Sequence, residues 1–263
     1  MLRPAAFIFI LSLAACVPLR DVPRKAEKGP PGTLFLRDSL YMDVTEITNL
    51  DWLEYVHSLS QKYGTEYPEI VQKALPDSLI WRDRSHYSET YVGAYFRHPA
   101  YRDYPVVGVT YRQVMDYCLW RTERVREQLK TDTEFSATIT YRLPTREEWM
   151  HAAAAGLDTV KFPLGYEEPR DRYGVYKYEL RQPAEASRPV KEHLPVPVRT
   201  GRPNRFGFYG LIGNVAEMTS EEGTACGGSF RHYPDQSRVS QTQEYSGAQT
   251  WLGFRCVCVV KKK

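Results

Sequence analysis

The feature of this sequence that most constrains its fold is one long segment with helical periodicity in the middle of the chain. Thr110 is a favourable N-cap residue, and apolar residues then recur at spacings of three and four as far as about Leu129. The predicted buried face consists of Val114, Tyr117, Cys118, Arg121, Val125 and Leu129. The segment therefore predicts an amphipathic helix that packs through this face.

The other regular elements are predicted to be short and separated by irregular chain. The patterns predict strands at residues 33–41, 106–109, 138–143 and 253–260, and helices at 49–59, 68–75 and 144–155. In the first of these helices, the residues expected to face the core are Leu50, Leu53, either Val56 or His57, and Leu59. The stretch at 63–104, rich in Tyr, Pro, His and Arg, is interpreted as an insertion or a long functional loop. Together the patterns predict a single α+β domain at 33–260 with much irregular structure.

The composition is that of a globular protein rather than of a disordered or fibrous one. Hydrophobic residues make up 42% of the chain and charged residues 25%. The 35 Lys and Arg nearly balance the 32 Asp and Glu, which argues against a partner that is a nucleic acid. Five Cys are too few for a small disulfide-based scaffold.

Residues 1–15 have the character of a bacterial secretory signal. Arg3 gives a positive start, and the apolar run that follows is about half of the roughly 20 residues that a spanning helix needs. The run ends in LAAC at 13–16, which resembles a bacterial lipobox, so Cys16 is the predicted lipidation site. The alternative is an ordinary signal peptide with a cysteine near its cleavage point.

The predicted location follows from the same segment. A lipid on Cys16 would hold the protein to a membrane. Val17 stands where some bacteria place the Asp that marks inner-membrane retention, so we expect the outer membrane, with the domain facing the periplasm. Residues 16–32 are rich in Pro, Lys and Arg and are interpreted as a flexible tether, and residues 261–263 as a basic tail.

Seven segments of the chain occur in an order that is similar to that of a known family. They are DVTEITN at 43–49, PVVGVTY at 105–111, YCLW at 117–120, RLPTREEW at 142–149, FGFYGLIGNVAE at 206–217, GGS at 227–229 and LGFRC at 252–256. They resemble the sulfatase-modifying-factor family, also called the formylglycine-generating-enzyme family. The resemblance implies the C-type-lectin-like α+β fold of that family.

The segment at 206–217 resembles a calcium-binding loop of the family. Asn214 and Glu217 offer an amide oxygen and a carboxylate, the hard donors that calcium prefers, and the resemblance adds the carbonyl of Val215. The acidic residue common in the family at the position of Gly210 is missing, which lowers the charge. Two interpretations of the loop are therefore possible. It binds calcium, or it is a structural loop held by hydrogen bonds.

The catalytic positions of the family are altered in this chain. The oxidising enzymes carry two Cys soon after the Gly227–Gly228–Ser229 segment, and their thiolates bind Cu(I), a soft metal. The corresponding positions here are approximately His232 and Ser237. The resemblance thus implies neither copper nor oxidase chemistry, and Ser229, Arg231 and His232 are expected to line a remnant cleft for an anionic or peptide ligand.

The cysteines of the domain have structural interpretations. The resemblance implies a disulfide between Cys118 and Cys256. Cys226 and Cys258 are left for a second bridge, if Cys226 starts a strand next to that of Cys258, as family analogy suggests. A copper site built from Cys226 and Cys258 is the alternative.

A subset of segments is similar to one branch of the family. YFRHPAY at 95–101, YPVVGVTY at 104–111 and YCLWRT at 117–122 resemble the gliding-motility-associated lipoproteins of the type IX secretion machinery in Bacteroidetes. The expected function is a non-catalytic, lipid-anchored structural or binding component of such an envelope assembly. The expected partner surface is the aromatic stretch at 87–104, with Trp81, Arg82, Tyr95 and Phe96 as contacts.

Two other functions remain open. The first is an enzyme that acts on exported proteins, either an oxidase of the family type or one with another chemistry. The second is a carbohydrate-binding or peptide-binding module, which rests on the lectin-like fold.

Overall fold

The computed structural model describes residues 29–82, 89–130, 137–168, 170, 172–181 and 194–262. The helices in these ranges are α1 (Asn49–Tyr63), α2 (Pro68–Ala74), α3 (Glu89–Ala94), α4 (Tyr111–Leu129) and α5 (Arg146–Ala154). The strands are β1 (Thr33–Arg37), β2 (Leu40–Asp43), β3 (Ala137–Arg142), β4 (Ala216–Met218), β5 (Thr224–Cys226), β6 (Thr242–Glu244), β7 (Leu252–Gly253) and β8 (Val257–Lys262). None of the described helices has both the length and the apolar character of a membrane span.

The strands form two four-stranded sheets. The first sheet has the order β1-β2-β8-β3 and is antiparallel, so the last strand of the chain lies in its centre. The second has the order β6-β5-β4-β7, with a parallel pair between β4 and β7. Few helices beside two sheets confirm the predicted α+β class. The strand predicted at 33–41 is interrupted at Asp38, whose φ of 49° turns the chain into a hairpin.

Three helices begin with the same device, which accounts for how well their starts are predicted. Thr48, Thr110 and Thr145 are the N-caps of α1, α4 and α5, and each forms a capping box with the side chain three residues later. Helix α5 ends at Ala155, which takes the left-handed conformation with φ 48°. By contrast, residues 106–109 do not form the predicted strand.

The buried face of α1 differs from the prediction. Trp52 and Tyr55 are buried, whereas Leu50 is 39% exposed. The aromatic side chains dominate because Trp52 stacks on Tyr117 of α4 at a centroid distance of 5.2 Å. Its ring nitrogen also donates a hydrogen bond to the carbonyl of Ala74 at 2.9 Å. A large ring with a satisfied N–H therefore takes the core position in place of the leucine.

The first sheet lies between two hydrophobic clusters. Tyr41 and Cys258 belong to the cluster under α1 and α4, and the neighbouring Met42 and Val257 belong to the cluster under α5. This alternation is what a sheet covered on both faces requires.

The outer edge of β3 is covered by helix α4. The backbone N–H of Tyr141 donates to the hydroxyl of Thr122 at 2.9 Å. The carbonyl of Ile139 accepts a hydrogen bond from Arg126 Nε at 2.8 Å. These two side chains thus pair main-chain groups that an edge strand otherwise leaves open.

Candidate functional site

The Gly-Gly-Ser segment forms a tight turn directly after β5. Gly227 and Gly228 have φ values of 92° and 67°, and a Cβ on Gly228 would overlap the side chain of Ser237. Both positions therefore require glycine. The turn brings Ser229 into the interior, where it has no exposed surface.

The structure brings Ser229 and His232 together. The Ser229 hydroxyl lies 2.7 Å from His232 Nδ1, and it accepts a hydrogen bond from the backbone N–H of Arg231 at 3.2 Å. Burial lowers the pKa of His232, and Arg231 lowers it further. The lowered pKa favours the neutral imidazole at physiological pH, and its tautomer sets which of the two groups donates the hydrogen bond. The ring of Trp251 meets the imidazole edge-on at 5.1 Å.

The two positions that the resemblance assigns approximately to the cysteine pair of the oxidases, His232 and Ser237, both make internal contacts. His232 bonds to Ser229 as described above. Ser237 is fully buried, and its hydroxyl donates to the carbonyl of Tyr233 at 3.0 Å. An imidazole and a hydroxyl are also harder ligands than the two thiolates that suit Cu(I). These residues therefore do not reproduce the copper site of the family.

The residues of the predicted calcium loop are all buried, and the side-chain oxygens of Glu217 and Asn214 are paired within the protein. Both carboxylate oxygens of Glu217 accept hydrogen bonds from Arg255, and one of them also accepts from Trp149 Nε1 at 2.8 Å. The amide oxygen of Asn214 accepts from the backbone N–H of Val196 at 2.9 Å. Val215 packs in a hydrophobic cluster. In this arrangement the three residues do not fit a calcium ion, because a guanidinium already occupies the carboxylate.

Glu46 is the site residue that sequence reasoning missed. It is fully buried, and its Oε1 accepts a hydrogen bond from Asn214 Nδ2 at 2.9 Å. Burial raises its pKa to about 8, against the attraction of Arg255, whose Nη2 lies 3.8 Å from Oε2. Within the described residues, Oε2 has no hydrogen-bond partner. Glu46 stands in the 43–49 segment that resembles the family, but an acid after a strand is also typical of a solvent-exposed turn, so sequence reasoning assigned it no role in the site.

Gly210 explains how Glu46 fits. A Cβ on Gly210 would overlap both carboxyl oxygens of Glu46, and the glycine has a φ of 63°. The position where the family commonly carries an acid is thus filled here by the side chain of Glu46. Among the described residues, no group of three or more His, Cys, Asp or Glu is placed to hold a metal ion.

The cysteines fall into one close pair and two separate thiols. Cys118 Sγ and Cys256 Sγ lie 3.6 Å apart in the buried core as free thiols. Cys226 ends β5 in the second sheet, whereas Cys258 lies in β8 of the first sheet, so the expected adjacency of their strands is not formed. Burial raises the pKa of both of these thiols to about 12. Neither is therefore prepared as a thiolate ligand for copper.

The aromatic residues predicted as a partner surface form a small core instead. Trp81 and Tyr95 are 6% and 2% exposed, and their rings lie 4.6 Å apart. Phe96 is half-buried against the main cluster. Arg82 is exposed and pairs with Glu89 at 2.6 Å. Trp81 and Tyr95 as partner contacts are thus wrong, because a Tyr-rich loop covers its own hydrophobic area by packing rings on each other. The N-terminal part of the predicted surface, at 87–88, lies outside the described residues, as does Cys16.

A surface cavity of about 480 Å³ lies between the loop after β2 and residues 197–199. Its walls carry charges of both signs, among them Asp51, Asp103, Arg121 and Arg199. Arg121 is neutralised by a two-bond ion pair with Asp43, with both distances 2.7 Å. The cavity is separate from Ser229, Arg231 and His232, none of which lines it.

Comparisons with known proteins agree with this fold. Formylglycine-generating enzyme of Mus musculus is 24% identical over 225 residues, which cover 76% of this chain and 54% of that protein. The chain thus spans about half the length of this relative. The inactive C-alpha-formylglycine-generating enzyme 2 of Bos taurus is 27% identical over 251 residues, covering 82% of this chain and 75% of that protein.

A solved structure shows the same fold, and a family match gives the assignment. Variable protein 1 of Treponema denticola aligns with a TM-score of 0.52 at 18% identity, over 84% of each chain. The sequence matches the family described as the sulfatase-modifying factor enzyme 1-like domain over residues 18–260. This protein therefore belongs to the sulfatase-modifying factor enzyme 1-like domain family and has its α+β fold.

Proposed function

We propose that this protein is a non-catalytic, lipid-anchored component of a bacterial envelope assembly of the gliding-motility or type IX secretion kind. The absence of catalysis is inferred from the residues at the two positions that hold cysteines in the oxidases. His232 and Ser237 stand there, and each side chain is engaged by a neighbour in the same turn. A site of this kind lacks the dithiolate that the oxidase reaction needs.

A relative of comparable extent supports the same proposal. The bovine protein named as an inactive C-alpha-formylglycine-generating enzyme 2 aligns with 82% of this chain. Its name says that a member of the family can persist without the enzyme's activity. The fold is then kept as a scaffold, and function depends on surfaces and anchoring rather than on a catalytic centre.

The anchoring part of the proposal rests on Cys16 and the lipobox-like residues before it. Lipid on this residue makes the membrane a constant partner. Metabolic labelling of the native host with an alkyne fatty acid tests this part. We expect label on the wild-type protein and none on Cys16→Ser, with Cys226→Ser as a labelled control. Label that persists on Cys16→Ser contradicts the anchor.

The main experiment is a mild-detergent pull-down of the tagged full chain from its native host. Copper, calcium and free thiols are quantified on the same purified sample. We expect envelope proteins of a secretion or gliding assembly to co-purify in constant ratio, without copper. Stoichiometric copper without a stable partner would contradict the proposal.

The oxidase alternative has its own test. The purified protein is incubated with Cu(I), oxygen and an exported-protein peptide that contains cysteine, and aldehyde formation is measured with a hydrazide probe. We expect no aldehyde above a no-protein blank. If the wild-type protein forms aldehyde and His232→Ala does not, the oxidase alternative is favoured over the non-catalytic proposal.

A second candidate function is peptide binding, and the cavity beside β2 is the observation that favours it. Its lining includes Asp103 and Arg199, and charges of both signs suit a ligand with an ammonium and a carboxylate group. Titration with short peptides, followed by intrinsic fluorescence, tests this. This function would be favoured if Asp103→Asn and Arg199→Gln each weakened binding. The control Asp158→Asn should leave binding unchanged.

A further inference from the structure

The guanidinium of Arg255 binds the carboxylate of Glu217, which belongs to the predicted calcium loop. Its Nε and Nη2 donate to the two carboxylate oxygens of Glu217 at 2.7 and 2.6 Å. The remaining contacts go to three backbone carbonyls: Nη2 to Tyr209 at 2.7 Å, and Nη1 to Asp43 and Val44 at 3.2 and 3.3 Å. The side chain has no exposed surface. One carboxylate and three carbonyls thus accept hydrogen bonds from a buried positive charge, and Oε2 of Glu46 lies 3.8 Å from it.

These oxygens are of the classes that calcium takes in proteins. A guanidinium can satisfy the same set because it offers five N–H groups in a planar fork and keeps its charge at every physiological pH. The contacts join the end of β2, the loop at 209 and strand β4. Arg255 therefore ties the two sheets together, as a metal ion bound by the same oxygens would.

A second cation has no place beside this one. Calcium would have to approach the Glu217 oxygens to about 2.3–2.6 Å, and both already bind the guanidinium. The ion would then lie against a positive charge in a buried site, where repulsion is strong.

We infer that Arg255 is the built-in cation of this loop, so that the loop folds and holds its shape without calcium. This inference does not depend on the proposed function. It concerns only how the two sheets are joined, and its test measures stability rather than activity.

The test compares thermal unfolding of the full chain in detergent with excess EDTA, with millimolar Ca²⁺ and with millimolar Mg²⁺. Bound calcium is measured on the same samples. We expect the same midpoint in all three and no stoichiometric calcium at the loop. The inference would be overturned if Ca²⁺ raised the unfolding midpoint, Mg²⁺ did not, and the rise was absent in Glu217→Gln. The wild-type comparison is decisive even if a variant does not fold.

A pair of matched variants tests the role of the guanidinium itself. Arg255→Lys keeps the charge but loses the five-donor fork, whereas Arg112→Lys changes an arginine that is 86% exposed. We expect Arg255→Lys to lower the midpoint by roughly 5–10 °C and Arg112→Lys to leave it nearly unchanged. Neither change should respond to Ca²⁺. Equal effects of the two substitutions would show that the fork is not needed, and would also overturn the inference.

Discussion

Glu46 and Asn214, 168 positions apart in the sequence, are joined by a buried hydrogen bond of 2.9 Å from the amide Nδ2 to the carboxyl Oε1. Asn214 also bonds to both main-chain groups of Val196. One amide therefore links the segment after β2 to the loop at 196 and to the entry of β4. Two buried carboxyl groups, those of Glu46 and Glu217, share a single guanidinium at this junction.

The first prediction concerns the pH dependence of stability through Glu46. Burial raises the pKa of this carboxyl from 4.5 to about 8, so the folded protein keeps a proton that the unfolded chain loses above pH 4.5. The free energy of unfolding should then fall between about pH 5 and 8, by up to about 1.4 kcal/mol per pH unit. Glu46→Gln should flatten this fall. Urea unfolding across that pH range measures it, and Glu54→Gln, on the exposed side of α1, should keep the wild-type slope.

The second prediction concerns the aromatic core at residues 81–104. Tyr95 is 2% exposed, and its hydroxyl donates to the carbonyl of Pro105 at 2.8 Å. Tyr95→Phe should lower the free energy of unfolding by about 1–3 kcal/mol, because it leaves a buried acceptor without its donor. Tyr67→Phe, at a position that is 50% exposed, is the control and should be close to neutral. Equal denaturant midpoints for the two variants would argue against a buried role for Tyr95.

The third prediction concerns the close thiol pair. With sulfur atoms 3.6 Å apart, we expect Cys118 and Cys256 to form a disulfide under oxidising conditions. Because the bridge would close a loop of 138 residues, it should add up to about 5 kcal/mol to the free energy of unfolding. Peptide mapping without reductant identifies the bridge, and unfolding with and without reductant gives its effect. Cys226→Ser should retain the bridge, and a bridge from Cys226 to Cys258 would contradict the arrangement of the two sheets.

The fourth prediction concerns acidification through His232. Burial, aided by Arg231, lowers the pKa of this imidazole below 6.5, so the unfolded chain binds a proton more readily than the folded protein. Stability should therefore be lost as the pH falls below about 6.5. NMR titration of the ring should give a low pKa, and His232→Gln should reduce the acid sensitivity. His57→Gln, at an exposed position on α1, should leave it unchanged.

The regular elements with local signals were predictable from the sequence. The threonine caps and the three-to-four spacing in α4 are properties of short segments, and tertiary packing did not override them. The buried face of α1 was not predictable in the same way. Trp52 is buried because it stacks on Tyr117 and donates a hydrogen bond to the carbonyl of Ala74, and both residues are distant in sequence. Leucine spacing alone carries no information about such partners.

The candidate site shows the same division. The sequence identified Asn214, Glu217, Ser229 and His232 as polar residues of interest, and the structure gives each a buried bond partner. What the sequence did not contain was the identity of those partners. Arg255 reaches Glu217 across 38 positions, and Glu46 reaches Asn214 across 168, and no local pattern encodes either contact. An ion network of this kind depends on topology, which brings β2, β4 and the segment before β8 to one place.

The covered edge of β3 has a consequence for recognition. Thr122 and Arg126 already pair the outward N–H of Tyr141 and carbonyl of Ile139. A second polypeptide that approached this side would find these two main-chain groups already paired, which opposes strand addition there. Polymerisation through this edge is therefore disfavoured even for copies of the domain held at high local concentration. A partner that binds at the edge of β3 would be recognised mainly through side-chain contacts. Such contacts depend on the sequence of the partner, whereas backbone pairing does not.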